Sequence, residues 1–267
     1  MSLAVQSAPA GHYRLKNVVK AEVVKVLTLP STAITLGLTV VLGLVVTSLV
    51  TKGVLYPRDG FGFDATQEAL TGMIVAGLTG GVFGALLITG EYSSGTIRAT
   101  LSATPRRPKV LAAKMLVTAA ATVVFCEALS FSSFFLGEGI LSARGLPSTN
   151  LGSSGAFEAV FLTGLFIALL ALMAFGFGLV TRNTAGAIAT FAGVVFVLPL
   201  VMHGISEPAV RYMPPNILTN SIMATIRQGG GPGGMNPLSP GLGLLLMAIY
   251  AAIALAVGAV LFVRRDA

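Results

Sequence analysis

The sequence predicts an all-α integral membrane protein. It has six transmembrane helices, an N-terminal amphipathic interfacial helix, and a short cytoplasmic helix between spans two and three. Three observations carry this. Only 10% of the 267 residues are charged, and mean hydropathy is +0.87. A soluble domain carries about 25% charged residues, so this chain cannot cover a water-facing surface. The apolar residues gather into six runs near the ~20 residues that cross a hydrocarbon core. Finally, Lys and Arg concentrate in alternate connections between those runs.

The elements follow in order. Residues 13–28 read YRLKNVVKAEVVKVLT, too polar to span. Leu15, Val18, Val19, Val23, Val26 and Leu27 recur at helical spacing with Lys16 and Lys20 off that face, as in a helix lying in the interface. The spans fall at about 33–50, 69–89, 110–136, 157–180, 185–202 and 242–263. Only TRNT separates the fourth from the fifth, which predicts an antiparallel helical hairpin. Residues 204–239 form the longest outer connection. Its first half has enough apolar residues for short re-entrant helices, and its GGGPGG is a flexible link. The whole of 1–267 reads as one transmembrane domain.

With the N-terminus inside, the inner segments hold Arg14, Lys16, Lys20, Lys25, Arg98, Arg106, Arg107, Lys109, Lys114, Arg182, Arg264 and Arg265. The outer ones hold Lys52, Arg58, Arg144, Arg211 and Arg227. Both termini are therefore expected in the cytoplasm. This bias also accounts for the net charge of +7. Aromatic residues do not interleave with the cations, so nucleic acid is not expected as a partner. The single cysteine, Cys126, allows neither an internal disulfide nor a cysteine metal cluster. The N-terminus lacks the charged-then-apolar order of a cleavable signal peptide.

Span two carries Gly77, Gly80, Gly81 and Gly84, whose small-xxx-small spacing lets helix backbones approach, within the chain or across a dimer. Glu127 is a carboxylate well inside span three, about 20 Å beyond Lys114 at 1.5 Å per residue. An intramembrane carboxylate is a functional-site candidate. Beside it, Phe131, Phe134 and Phe135 could receive a lipophilic cation or fill helix interfaces. Gly152-Ser153-Ser154-Gly155 fits the G-x-S-G of rhomboid intramembrane proteases, with His203 as candidate base. Against that reading, the chain has no Trp and its other histidine is His12 in the N-terminal tail. No P-loop signature occurs, so energy for transport would come from another polypeptide or an ion gradient. No internal repeat of the secondary-transporter kind is visible.

Residues 90–114 read GEYSSGTIRATLSATPRRPKVLAAK. Ser93, Ser94 and Thr96 can cap a short helix that Pro105 stops, and Lys114 can snorkel to the headgroups. A topology-setting loop explains the cations but not Glu91 at the end of a span. The stretch resembles the segment between spans two and three of ABC-2 type transporter permeases. There a Glu closes the span, a Ser-Gly-Thr-Ile/Leu-Arg run makes a coupling helix, and Pro-Arg-Arg and Lys precede the next span. Glu91, Gly95, Thr96, Ile97, Arg98, Leu101, Pro105, Arg106 and Lys114 match. So do the interfacial helix, six spans, the long outer loop and the Arg-Arg ending.

The resemblance implies a permease subunit of an ABC exporter in a bacterial plasma membrane. Two copies, or two related chains, would enclose a path for a hydrophobic or amphiphilic small molecule such as a drug, antibiotic or lipid. Two separate P-loop ATPase subunits would bind ATP and Mg, so this chain would hold no cofactor, metal or catalytic residue. Residues 91–105 would be the coupling helix. Glu91 would tie it to the interfacial helix through a basic or hydroxyl group, and Arg98 would face the ATPase. The alternatives are the rhomboid-like protease and a gradient-driven carrier.

Overall fold

The computed structural model describes residues 15–54, 63–103, 107–223 and 238–264, and among these there is no strand. Helix α1 covers Leu15–Thr28 and α2 covers Pro30–Gly53. The break is the single residue Leu29, held extended at φ −73°, ψ 122°. A residue before proline is pushed out of the α region, while Pro30 itself suits the first helical position. The N-terminal helix is two-faced in a way its apolar spacing did not disclose. Glu22 is buried and Lys25 half-buried against the protein, whereas Val23, Val24 and Leu27 point outward.

The second span is α3 (Ala65–Leu70) and α4 (Gly72–Ser93), joined through Thr71, which stays in the α region. Asp64 caps α3, accepting from the Gln67 N–H at 3.1 Å. The third span, α6 (Arg107–Ala143), continues past its expected end near 136. Its polar tail is fastened at two points. Glu138 accepts from the Thr149 N–H at 2.7 Å. Arg144 donates to the carbonyls of Thr51 at 2.6 Å and Val54 at 2.9 Å, satisfying the open end of α2. Between these spans lies α5 (Thr96–Ala103).

Helix α7 (Ala156–Thr181) is the fourth span. A tight turn with Arg182 at φ 54° leads into α8 (Thr184–Ala192), capped by Asn183. The fifth span continues through a π-turn at Gly193–Val197 into α9 (Leu198–Ile205). Pro199 has no N–H to give and its ring crowds the carbonyl one turn back. Widening the helix just before it relieves that conflict. Two short helices follow, α10 (Glu207–Val210) and α11 (Pro214–Ser221), and then the sixth span, α12 (Pro240–Arg264). Gly243 sits against Ile217, while the Tyr250 hydroxyl donates to the Tyr212 carbonyl at 3.2 Å. Gly243 and Tyr250 are seven residues apart, so the 212 end lies about 10 Å further along α12 than the 217 end. The GGGPGG link lies outside the described residues.

Helix α7 is the hub, packed by α4, α6, α8 and α12. Of its most apolar stretch 72% is buried, against 17% in α2 and 22% in α12. Small residues permit this. A Cβ on Gly84 would stand 2.0 Å from the Ala171 carbonyl oxygen, and one on Gly81 would enter the Phe191 ring. Gly77 and Gly80 face Leu170 and Ile167 more loosely, at 3.3 and 3.2 Å. These four glycines thus pack within the chain, against α7 and α8. Gly84→Val should force α4 and α7 apart and lower stability by about 1–3 kcal/mol. Gly90→Ala, where nothing lies within 4 Å, should be close to neutral. Thermal unfolding in detergent checks the pair.

Candidate functional site

Four charged side chains from three elements meet at one end of the bundle. Glu22 and Lys25 stand one turn apart on α1, Glu91 closes α4, and Lys114 lies in the second turn of α6. Lys114 Nζ donates to Glu22 Oε2 at 2.5 Å and to Glu91 Oε1 at 2.7 Å. Lys25 Nζ donates to Glu22 Oε1 and Glu91 Oε1, both at 2.9 Å. The charges alternate around a closed ring with no net charge. Glu22, Glu91 and Lys114 are 3%, 7% and 4% exposed, so their Coulomb attraction is little screened. Glu91 Oε2 is buried with no hydrogen-bond partner among the described residues. The expected snorkelling of Lys114 toward headgroups does not occur, because two carboxylates receive it inside.

The ring is also bonded to α5. Lys25 Nζ donates to Thr100 Oγ1 at 3.3 Å. Ile97 is buried among Ile88, Leu111, Phe175, Leu179 and Phe262, with Leu101 packed alongside. Arg98, Ala99 and Ser102 face outward. The short helix thus has one face set into the ends of the spans and an exposed face carrying Arg98. Its start differs from expectation. Glu91, Tyr92 and Ser93 belong to α4, and the hydroxyls of Ser93 and Ser94 donate back to the Gly90 carbonyl, closing α4 instead of opening α5. Thr96 hydrogen-bonds Ser94 at 2.9 Å. Gly95 makes the turn at φ +70°, a conformation that glycine adopts without strain. Pro105 and Arg106 lie outside the described residues.

Partial burial of Lys25 works against its charge. Its hydrogen bonds to Glu22 and Glu91 outweigh that, so its pKa rises above the ordinary 10.5. A raised cation contributes stability that is full below its unfolded pKa and is lost as pH rises through the folded one. The stability gap between wild type and Lys25→Met should therefore stay flat from about pH 6 to 9 and shrink only above about 10.5. Unfolding curves across that range measure it.

Beside the ring opens a groove with an empty volume of about 1120 Å³ including its open side, lined by Thr32 and Thr35 of α2, Phe83 and Leu87 of α4, Ser94 and Thr184. It combines an apolar floor with hydroxyls.

The residues around Glu127 do not converge. Glu127 lies over Gly164, where a Cβ would stand 2.7 Å from its carboxyl carbon, and both oxygens are buried against the Gly164–Leu165 backbone. Phe131 meets Phe157 at 6.2 Å, and Phe157 stacks on Phe161 at 6.0 Å. Phe134 is 1% exposed in the core, while Phe135, whose ring meets it edge-to-face at 5.7 Å, is 59% exposed. A side chain sealed in the core cannot touch a passing molecule, so the three phenylalanines do not form one surface. Ser154 and His203 are both exposed, and no hydrogen bond joins them among the described residues.

Sequence reasoning required a partner for Glu91 on the N-terminal helix but did not name Glu22 or Lys25. A signal was present: Glu22 occupies the turn between Val18, Val19 and Val26, a carboxylate inside an apolar stripe.

Six helices long and apolar enough to cross a membrane, with a short helix seated on their ends by Ile97 and a Lys25–Thr100 hydrogen bond, define a polytopic membrane protein. Residues 57–267 match the family model of the ABC-2 family transporter protein, and the chain belongs to that family. It is a permease subunit of an ABC transporter, whose family pairs such chains with an ATPase. No curated protein matches the chain.

Proposed function

We propose that this chain is the permease of an exporter for hydrophobic or amphiphilic small molecules. A separate P-loop ATPase drives it, two copies bind to a pair of permease chains, and both termini of the permease face the cytoplasm of a bacterial cell. The observation that carries the reading is the Glu22–Lys25–Glu91–Lys114 ring. It ties α1 to the bases of α4 and α6, and its Lys25 reaches on to Thr100 of α5, the helix that carries the exposed Arg98. In this reading α5 is the coupling helix, and ATP-driven movement of the ATPase reaches the spans because the ring prevents α5 from moving alone. A lever needs such a two-ended connection. Thr96, Ile97 and Leu101 seat it.

The groove lined by Thr32, Thr35, Phe83 and Ser94 is the entry for the amphiphile, its hydroxyls serving the polar end. Glu127, with Phe131 one turn away, is the candidate contact for a cationic amphiphile deeper in the membrane. Phe134, sealed in the core, is withdrawn from that role, and the exposed Phe135 keeps it. The test is purification from its native membrane followed by reconstitution. An ATPase with a P-loop should co-purify, and amphiphile movement in proteoliposomes should require ATP. Transport by the chain alone, driven by an ion gradient, would replace this reading with the carrier one.

A further inference from the structure

We infer that the amphiphile entering the groove beside the charge ring carries a head group that donates hydrogen bonds, through O–H or N–H, and that Glu91 Oε2 receives one of them. The inference rests on the reading of that groove as the entry path and adds the chemistry of the occupant's polar end. Glu91 lines the groove and is 7% exposed. Its two oxygens are used differently. Oε1 accepts from both Lys25 and Lys114, whereas Oε2 is buried with no hydrogen-bond partner among the described residues. A buried acceptor left without a donor costs free energy, and a bond to a charged acceptor is among the stronger ones that could recover it.

The hydroxyls on the walls make the same demand. Each has one hydrogen to give and two lone pairs to receive with. Thr35 gives its hydrogen to the Ser31 carbonyl at 2.7 Å and Thr184 to the Thr89 hydroxyl at 3.0 Å. Ser93 and Ser94 give theirs to the Gly90 carbonyl at 3.1 and 2.7 Å. Lys25 has three hydrogens, and they go to Glu22, Glu91 and Thr100. These groups therefore meet the occupant as acceptors or not at all. Ser31 and Thr32, also on the wall, carry hydroxyls that can turn either way. A carboxylate head brings acceptors to acceptors, and the Lys25 ammonium has no N–H left for it. A quaternary ammonium brings charge without a donor to a ring whose charges already cancel. A hydroxyl, amide or primary amine brings what the walls lack. Phe83 lies eight residues before Glu91, about 12 Å along α4, and Leu86 and Leu87 line the stretch between them. The head sits at the Glu91 end and the tail runs toward Phe83.

The experiment is native mass spectrometry of the purified, delipidated full chain titrated with single-tailed probes. These are dodecanoyl glycerol and its dimethyl ether, dodecylamine and dodecyltrimethylammonium, and dodecanoate. In wild type each donor-bearing probe should be retained at least fivefold more than its methylated counterpart, and dodecanoate should rank with the methylated pair. Glu91→Gln keeps one oxygen for the lysines and sets an amide N–H in place of the other. It should bring the ratio of glycerol ester to ether down to about one or below. Gly90 lines the groove, and nothing lies within 4 Å of a Cβ built there. Gly90→Phe should therefore lower retention of the glycerol ester at least fivefold with little change in unfolding temperature. Leu245→Trp, on an exposed face of α12, should leave the ester-to-ether ratio as in wild type. If Glu91→Gln unfolds, the wild-type probe pairs and Gly90→Phe still decide. Equal retention of ester and ether in wild type, or dodecanoate retained best, overturns the inference and leaves the entry path standing. So does an unchanged ratio in a folded Glu91→Gln chain, which would give Oε2 to a water in the small cavity it shares with Glu22 and Thr118. Undiminished retention of every probe in Gly90→Phe would instead overturn the entry path itself, and the inference with it.

Discussion

Lys114→Ala is expected to destabilise the chain by about 3–5 kcal/mol, the cost of stripping one partner from a buried ion pair. Lys114 is bonded to both carboxylates of the ring, at 2.5 and 2.7 Å. Without it Glu22 and Glu91 share the half-exposed Lys25, and one negative charge is left uncompensated in a buried place. The double change Lys114→Met with Glu91→Gln leaves the Glu22–Lys25 pair intact at 2.9 Å. It should therefore be less damaging than the two single effects added, with a coupling of about 1–3 kcal/mol. Thermal unfolding of the four proteins in one detergent supplies the cycle. Additive losses would mean that the ring's members act separately.

Arg98→Glu should have the opposite signature. Its side chain is exposed and Ile97 does the packing, so the unfolding temperature should hardly move. Reversing the charge on the outward face of α5 places like charges together if the ATPase presents an acidic rim there. Binding of the ATPase to the purified permease should then weaken at least tenfold, and the effect should shrink as salt rises. Affinity measured at two ionic strengths, alongside the melting curve, separates a contact residue from a structural one. An Arg98→Glu chain that binds the ATPase like wild type would move the contact elsewhere.

The spans were legible because hydropathy acts locally, and a run such as 157–180 declares itself whatever it packs against. The family was legible from residues 90–114, where residue types at fixed spacing matter more than packing. The charge ring was only half legible. Glu91 at the end of a span needed a cation, but Lys114 in a basic connection reads as a headgroup anchor. Its burial depends on which side of α6 meets α1, a tertiary fact. The extension of α6 to Ala143 was hidden because GEGILSA is polar. It stays helical through the bonds of Glu138 and Arg144 to distant backbone. Phe131, Phe134 and Phe135 looked like one cluster because sequence proximity does not say which residues share a helix face. At about 100° per residue, Phe134 and Phe135 diverge.

The central claim is that the ring couples α5 to the spans, and Glu91→Ala tests it most directly. Glu91 alone joins the end of α4 to both lysines, and one of those lysines also holds Thr100 of α5. The measurement is ATP hydrolysis by the complex of the permease with its co-purified ATPase in proteoliposomes, with and without a transported amphiphilic dye. The account predicts that Glu91→Ala chains still insert and still bind the ATPase, yet dye-stimulated hydrolysis falls to the basal rate. Dye stimulation equal to wild type in that variant would contradict it.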